Sequence, residues 1–242
     1  GDVYKRQPLF YFAGKNKSIL RLGKTRLEWS VILKACINGS SEFMSNVSMN
    51  VVGMLYNMQL LKYAGENGVA AYGVMMYVSM IFSAAFIGYS IGVAPVVSYH
   101  NGAKNDQESK GLLRRSLVMI VSLGIAMVLT AEGLAVPLAR SFVGYDTDLL
   151  KLTVSGFRIF ALSFAFMGIA IFCSGFFTAL NDGLTSALIS FLRTLVFETA
   201  AVLILPLFLG IYGVWISIVV AEGMAVIFSI VFLIKNRKKY RY

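Results

Sequence analysis

The sequence predicts an all-α polytopic membrane protein, a bundle of six transmembrane helices. Three observations carry that prediction. The chain is 57% hydrophobic and only 14% charged, whereas soluble domains are about a quarter charged. Its apolar residues gather in blocks close to the ~20 residues with which an α-helix crosses a bilayer. The Lys and Arg behind the net charge of +10 stand between those blocks, where topology explains them better than nucleic acid does.

The chain opens with GDVYKRQ. Back-translated as GGA GAT GTG TAT AAG AGA CAG, this resembles the transposon end used to prepare sequencing libraries. Residues 1–7 are therefore read as a translated adaptor and kept out of the fold reasoning, the alternative being a genuine polar N-terminus. PLFYF at 8–12 looks like the tail of a preceding helix, and residues 8–29 read as a linker. Six spans follow, at about 30–61, 69–97, 115–139, 152–178, 184–208 and 211–234. The joints carry turn chemistry: AGEN at 64–67, HNGAKNDQESKG at 100–111, GYDTD at 144–148 and NDG at 181–183. The fifth joint, LGIYG at 209–213, has no charge.

Lys15, Lys17, Arg21, Lys24 and Arg26 precede the first span. Lys104, Lys110, Arg114 and Arg115 follow the second, and Lys235, Arg237, Lys238, Lys239 and Arg241 follow the last. The opposite joints hold Lys62, Arg140 and Lys151. The positive-inside rule then places both ends in the cytoplasm of a multi-pass protein of the cell membrane. Trp29, Tyr145 and Tyr212 fall at span edges, where interfacial aromatics belong.

The first span holds the stretch NGSSEFMSNVSMN at 38–50, the most polar in any block. On a helix, Asn38, Ser45, Asn46, Met49, Asn50, Gly53, Tyr56 and Asn57 all fall within about 80° of Glu42. Ile37, Met44, Val47, Val51, Leu55 and Met58 line the other side. Such a stripe cannot face lipid, because a carboxylate at that depth costs several kcal/mol unless water or partners meet it. Two readings stand open: hydrogen-bonding glue between helices, or the lining of a substrate and ion path. Glue needs one or two polar residues, so the length of this stripe favours the path. The second span adds Met75, Met76 and Met80 to Met44, Met49, Met54 and Met58, a soft cluster that suits adaptable ligand surfaces and core filling equally. GYSIG at 88–92 fits close helix packing.

The remaining spans carry isolated charges. Glu132 in the third and Arg158 in the fourth lie roughly 7–10 Å to the outer side of their span centres, so a pair is expected. Arg193, Glu198 and Glu222 lie within roughly 5 Å of the midplane. On an α-helix Arg193 and Glu198 point about 140° apart, so Arg193 should meet an acid on another helix, with Glu222 the candidate. Structural neutralisation is the favoured role for these charges. Cys36 and Cys173 read as small core residues, since no CxxC or Cys/His cluster exists. No HExxH, GxSxG or phosphate-binding loop occurs and the one histidine, His100, sits in a joint. The sequence therefore predicts no enzyme, no metal and no cofactor.

IGVAPVVSYHNGAKN (91–105), GFRIFALSFAFMGIAIFCSGFFTALNDG (156–183), ISFLRTLVF (189–197) and YGVWISIVVAE (212–222) together resemble the multidrug and toxic compound extrusion (MATE) transporters. The resemblance runs from about residue 8 to the end, in the C-terminal six-helix lobe of a twelve-helix protein. It implies that residues 8–29 are an inter-lobe cytoplasmic linker and that an N-terminal lobe of the same chain is the missing partner. It also implies export of small organic, often cationic, compounds in exchange for H+ or Na+, as in Gram-positive multidrug exporters. Glu42 matches the family's acid on the first helix of this lobe, which implies cation coupling. The second acid of some sodium-linked members has no counterpart, since residues 152–178 contain no Asp or Glu. That favours protons over sodium. The competing readings are a lipid-linked saccharide flippase of the same superfamily, for which a cationic cavity is expected, and a truncated membrane protein that transports nothing.

Overall fold

The structure is a computed structural model that describes Tyr11 and residues 27–242, without the side chains of Asn38, Ser41 and Glu42. The adaptor reading of residues 1–7, and the linker reading of 8–29 apart from Tyr11 and 27–29, lie outside the described residues. The chain divides into two compact units, Gly1–Ala35 and Cys36–Tyr242. In the first, the described segment is helical from Trp29.

The helix Trp29–Gly102 is 74 residues long and is interrupted at Gly65, with φ 62° and ψ −155°. That backbone region is closed to L-residues and open to glycine, so the AGEN joint turns on this one residue. Its arms are α1 (29–64) and α2 (66–102). Then follow α3 (Asp106–Val143), α4 (Thr147–Ala161), α5 (Phe164–Ala179) and α6 (Gly183–Ser190). A π-helical segment, Phe191–Glu198, leads into α7 (Thr199–Leu209), and α8 (Ile211–Tyr240) closes the order. Asn105, Asp146 and Asp182 cap α3, α4 and α6 by accepting from Glu108, Asp148 and Leu149, and Thr185 backbone N–H groups. These caps explain why the polar joints are so short.

Among the described residues no strand occurs. Four helices are long and apolar enough to cross a membrane, or five when α4 and α5, bent by 47° at their break, count as one span. The first of them, Phe43–Gly102, contains the Gly65 break. Its two arms count separately, which gives a bundle of six spans.

Two large cores fill the bundle. One joins α1, α2, α4 and α8 through Tyr56, Leu60, Met75, Phe157, Phe160 and Trp215. Trp215 lies against Gly156, where an added Cβ would come within 2.8 Å of its ring, so glycine is needed for the approach. The other core gathers Phe86, Ile120, Phe172, Phe176, Phe177 and Tyr242. Between α5 and α6, the hydroxyls of Ser174, Thr178, Ser186 and Ser190 bond one another at 2.7–2.9 Å.

Two packing expectations fail. Gly88 and Gly92 meet nothing within 4 Å, because the buried face of α2 there carries Phe86 and Ser90 instead. Cys173 is buried but Cys36 is exposed, and both are free. Gly124 is where helices do come close, since its Cβ would sit 2.9 Å from the Phe164 carbonyl.

The basic tail is more than a topological flank. The Asp182 carboxylate accepts from Tyr240 Oη at 2.6 Å and from Lys239 Nζ at 3.0 Å. Tyr242 is buried, donates to the Leu233 carbonyl at 3.1 Å and sets its ring against Phe176. Partial burial pushes the Asp182 carboxyl up. The hydrogen bonds from Tyr240, Lys239 and Thr185 outweigh it and hold the group below its ordinary range.

Candidate transport site

Helix α1 presents three faces. Ser48, Val52, Tyr56 and Leu60, spaced four apart, are buried against the bundle. Phe43, Val47, Val51, Met54 and Met58 are exposed and apolar, a composition suited to lipid. Asn46, Met49, Asn50 and Asn57 are exposed between these two faces, and the three asparagines lie within about 40° of one another around the helix. Asn50 Nδ2 donates to the Asn46 carbonyl at 2.8 Å. The polar stripe is thus a surface of this bundle, and its length is not consumed by contacts within the bundle.

Of the residues expected to line a path, Ser45 is partly buried, while Asn46, Met49, Asn50 and Asn57 are exposed. Tyr56 turns away from them. Its ring is 2% exposed and stacks on Tyr72 at 5.1 Å between centroids. Sequence reasoning placed Tyr56 at the edge of the stripe, about 40° from Glu42, and the core face of α1 begins there. Asn38 and Glu42 occupy helical positions on α1, but their side chains lie outside the described residues.

The charged residues of the later spans form two unlike groups. Arg158 Nε lies 3.7 Å from Glu132 Oε2, and the side chains are 55% and 36% exposed. The pair was expected to be buried; it sits instead on the flank of α3 and α4. A groove of about 540 Å³ adjoins it, lined by Val136, Leu150, Lys151, Val154, Ser155 and Arg158. Arg193 and Glu222, by contrast, form a bidentate pair. Nε donates to Oε1 at 3.0 Å and Oε2 at 2.9 Å, and Nη2 donates to Oε1 at 2.6 Å. The Glu222 side chain is 1% exposed.

Glu198 joins this second group, contrary to the expectation that it faces away from Arg193. Residues 191–198 are π-helical, so the backbone bond runs from i to i+5 and residues five apart lie over one another. Glu198 is within electrostatic reach of both Glu222 and Arg193. Tyr56 and Tyr72 face it from α1 and α2, each feeling its charge. The Tyr56 hydroxyl is buried without a hydrogen-bond partner. Tyr72 is the residue that sequence reasoning missed, since a tyrosine in an apolar block carries no signal of its own.

The chain can now be set beside known proteins. The MatE family model matches residues 43–204. No curated protein matches the chain. Among solved structures, a MATE protein in complex with MaL6 is similar with TM-score 0.89 and 18% identity, over 99% of this chain and 55% of that one. A multidrug resistance MATE family transporter of the MOP superfamily, in its outward-facing conformation, gives TM-score 0.85 and 20% identity over 99% and 53%. A MOP superfamily transporter from Pyrococcus furiosus, described as having a binding pocket of reverse polarity, gives 0.85 and 20% over 99% and 54%. The chain thus spans about half the length of the structures it matches. With the family model lying over most of its length and a bundle that superposes on one half of those structures, the chain belongs to the MatE family of membrane transporters.

Proposed function

We propose that the chain is the C-terminal lobe of an exporter that exchanges small organic, often cationic, compounds for protons, with protons favoured over sodium. The observation that carries this reading is the exposed amide face of α1, with Asn46, Asn50 and Asn57 on one side of the helix. A polar membrane helix surface left open by its own bundle needs water, a substrate or a second lobe to meet it. Glu42, one turn before Asn46 on the same helix, is assigned as the coupling carboxylate. Asn46 and Asn50 are assigned as substrate or cation contacts. The basic segments that flank the first and last spans support cytoplasmic ends in the cell membrane, with a twelve-helix parent supplying the other wall of the cavity. The lobe works by transport and not by bond-making chemistry.

The test uses the full-length transporter in proteoliposomes with an imposed pH gradient. Glu42→Gln keeps size and hydrogen bonding but removes the titration, so it should abolish pH-driven export while folding is retained. Asn46→Ala should shift substrate preference without ending coupling. Normal export by Glu42→Gln would return the stripe to the role of helix-packing glue.

A further inference from the structure

The charges buried in the second half of the lobe do not balance. Arg193 supplies one positive charge, and Glu198 and Glu222 supply two carboxyl groups within reach of it. The guanidinium is committed to Glu222 through contacts of 2.6–3.0 Å. A second carboxylate left beside that pair has no countercharge, and an uncompensated charge away from water is costly. Its position is imposed by the π-helical segment, which sets residue 198 over residue 193.

Every element around Glu198 contributes a recognisable group. Its own segment brings Arg193, and α8 brings Glu222. From α2 comes Tyr72, and from α1 comes Tyr56, stacked on Tyr72 and 2% exposed. No other charged side chain acts on Glu198 among the described residues. The Tyr56 hydroxyl is the second, independent sign of a site, because it is buried in this environment with no partner. A phenol can donate to a carboxylate or accept from a carboxylic acid.

We propose that Glu198 is a proton-binding site of the lobe and that Tyr56 positions it from α1. The step is the addition of one H+ to the Glu198 carboxylate, giving a neutral acid beside an intact Arg193–Glu222 pair. Loss of that proton leaves a carboxylate that competes with Glu222 for the same guanidinium. A proton suits the site better than a metal cation, since Arg193 repels a second cation while a proton merges into the carboxyl group. Because Tyr56 belongs to the helix that carries the asparagine stripe, the protonation of Glu198 is felt at the exposed face of α1. The site goes beyond the coupling reading of Glu42 and requires no role for that residue.

Infrared difference spectroscopy tests this on the full-length transporter in lipid at neutral pH. A protonated-carboxyl band should be present, vanish in Glu198→Gln and persist in Glu42→Gln. Tyr56→Phe removes only the unpartnered hydroxyl, so it should fold normally and shift that band. A spectrum unchanged by Glu198→Gln would show that Glu198 is ionised and overturn the proposal. An unshifted band in Tyr56→Phe would overturn the role of Tyr56. Loss of the band on adding sodium at constant pH would assign the site to a metal cation and overturn it as a proton site. A silent Glu198 together with a transport-dead Glu42→Gln would leave the coupling reading standing while this one fails.

Discussion

Glu132–Arg158 and Arg193–Glu222 join the same two chemical groups in two settings. The first pair meets at 3.7 Å through one contact, with both side chains well exposed. The second meets at 2.6–3.0 Å through a fork, with Glu222 almost fully enclosed. Separation in sequence and depth in the span do not distinguish them. What does is the neighbourhood. Arg193 and Glu222 close over small residues such as Ala201, Ala221 and Ala225, which leave room for helices to approach. Glu132 and Arg158 look outward from the flank of α3 and α4. A charge pair in an apolar sequence therefore has two possible meanings, a buried constraint or a surface neutralisation, and packing decides between them.

The comparison can be broken by substitution. Arg193→Met leaves two buried carboxyl groups without their cation and should cost about 3–5 kcal/mol of stability, read as a fall in melting temperature in detergent. Adding Glu222→Leu should recover most of that loss, since an apolar pair of similar volume often replaces a buried ion pair at little cost. A double variant no better than the single one would show that the damage is steric.

Asp182→Ala removes a helix cap and the bonds to Lys239 and Tyr240, and should cost about 1–2 kcal/mol. The pH dependence of this contribution has a defined sign. The Asp182 carboxyl is held below its ordinary range, so its contribution is complete above about pH 4–5 and is lost as pH falls through the lowered value. The stability difference between wild type and Asp182→Ala should shrink on acidification, and a constant difference would contradict the assignment. The smallest effect is expected for Glu132→Gln, within about 1 kcal/mol, as for solvent-accessible pairs. A loss as large as that of Arg193→Met would mean that this flank is covered in the assembled protein.

Much of this architecture was legible in the sequence, for physical reasons. Long apolar blocks and short capped joints specify membrane helices because the bilayer allows few alternatives. The stripe on α1 was legible because α-helical periodicity is regular. Asn46, Asn50 and Asn57 share one exposed face as their spacing requires. Tyr56 was misplaced because one residue at the stripe's edge can turn either way, and only the stacking partner Tyr72 settles it. Glu198 was misplaced for a different reason. The 100° rule assumes an unbroken α-helix, and nothing in FLRTLVFE announces the π-helical turn that sets position 198 over position 193. Gly88 and Gly92 show the limit of small-residue motifs, since spacing says that helices could approach there and not that they do.

The knot around Asp182 has a mechanical consequence. One carboxylate holds the turn between α5 and α6 to the last residues of α8, while Tyr242 plugs the core beneath. The basic end of α8 is thereby fastened to the start of α6. Arg193 and Glu222 fasten the same two stretches of chain again, farther along, with the wider π-helical turn at the upper tie. Two ties on one pair of helices make a strut that resists shear but can still flex between its fixings. The lobe is built to swing as a piece about its basic end, and any internal give is concentrated at the turn that carries Glu198.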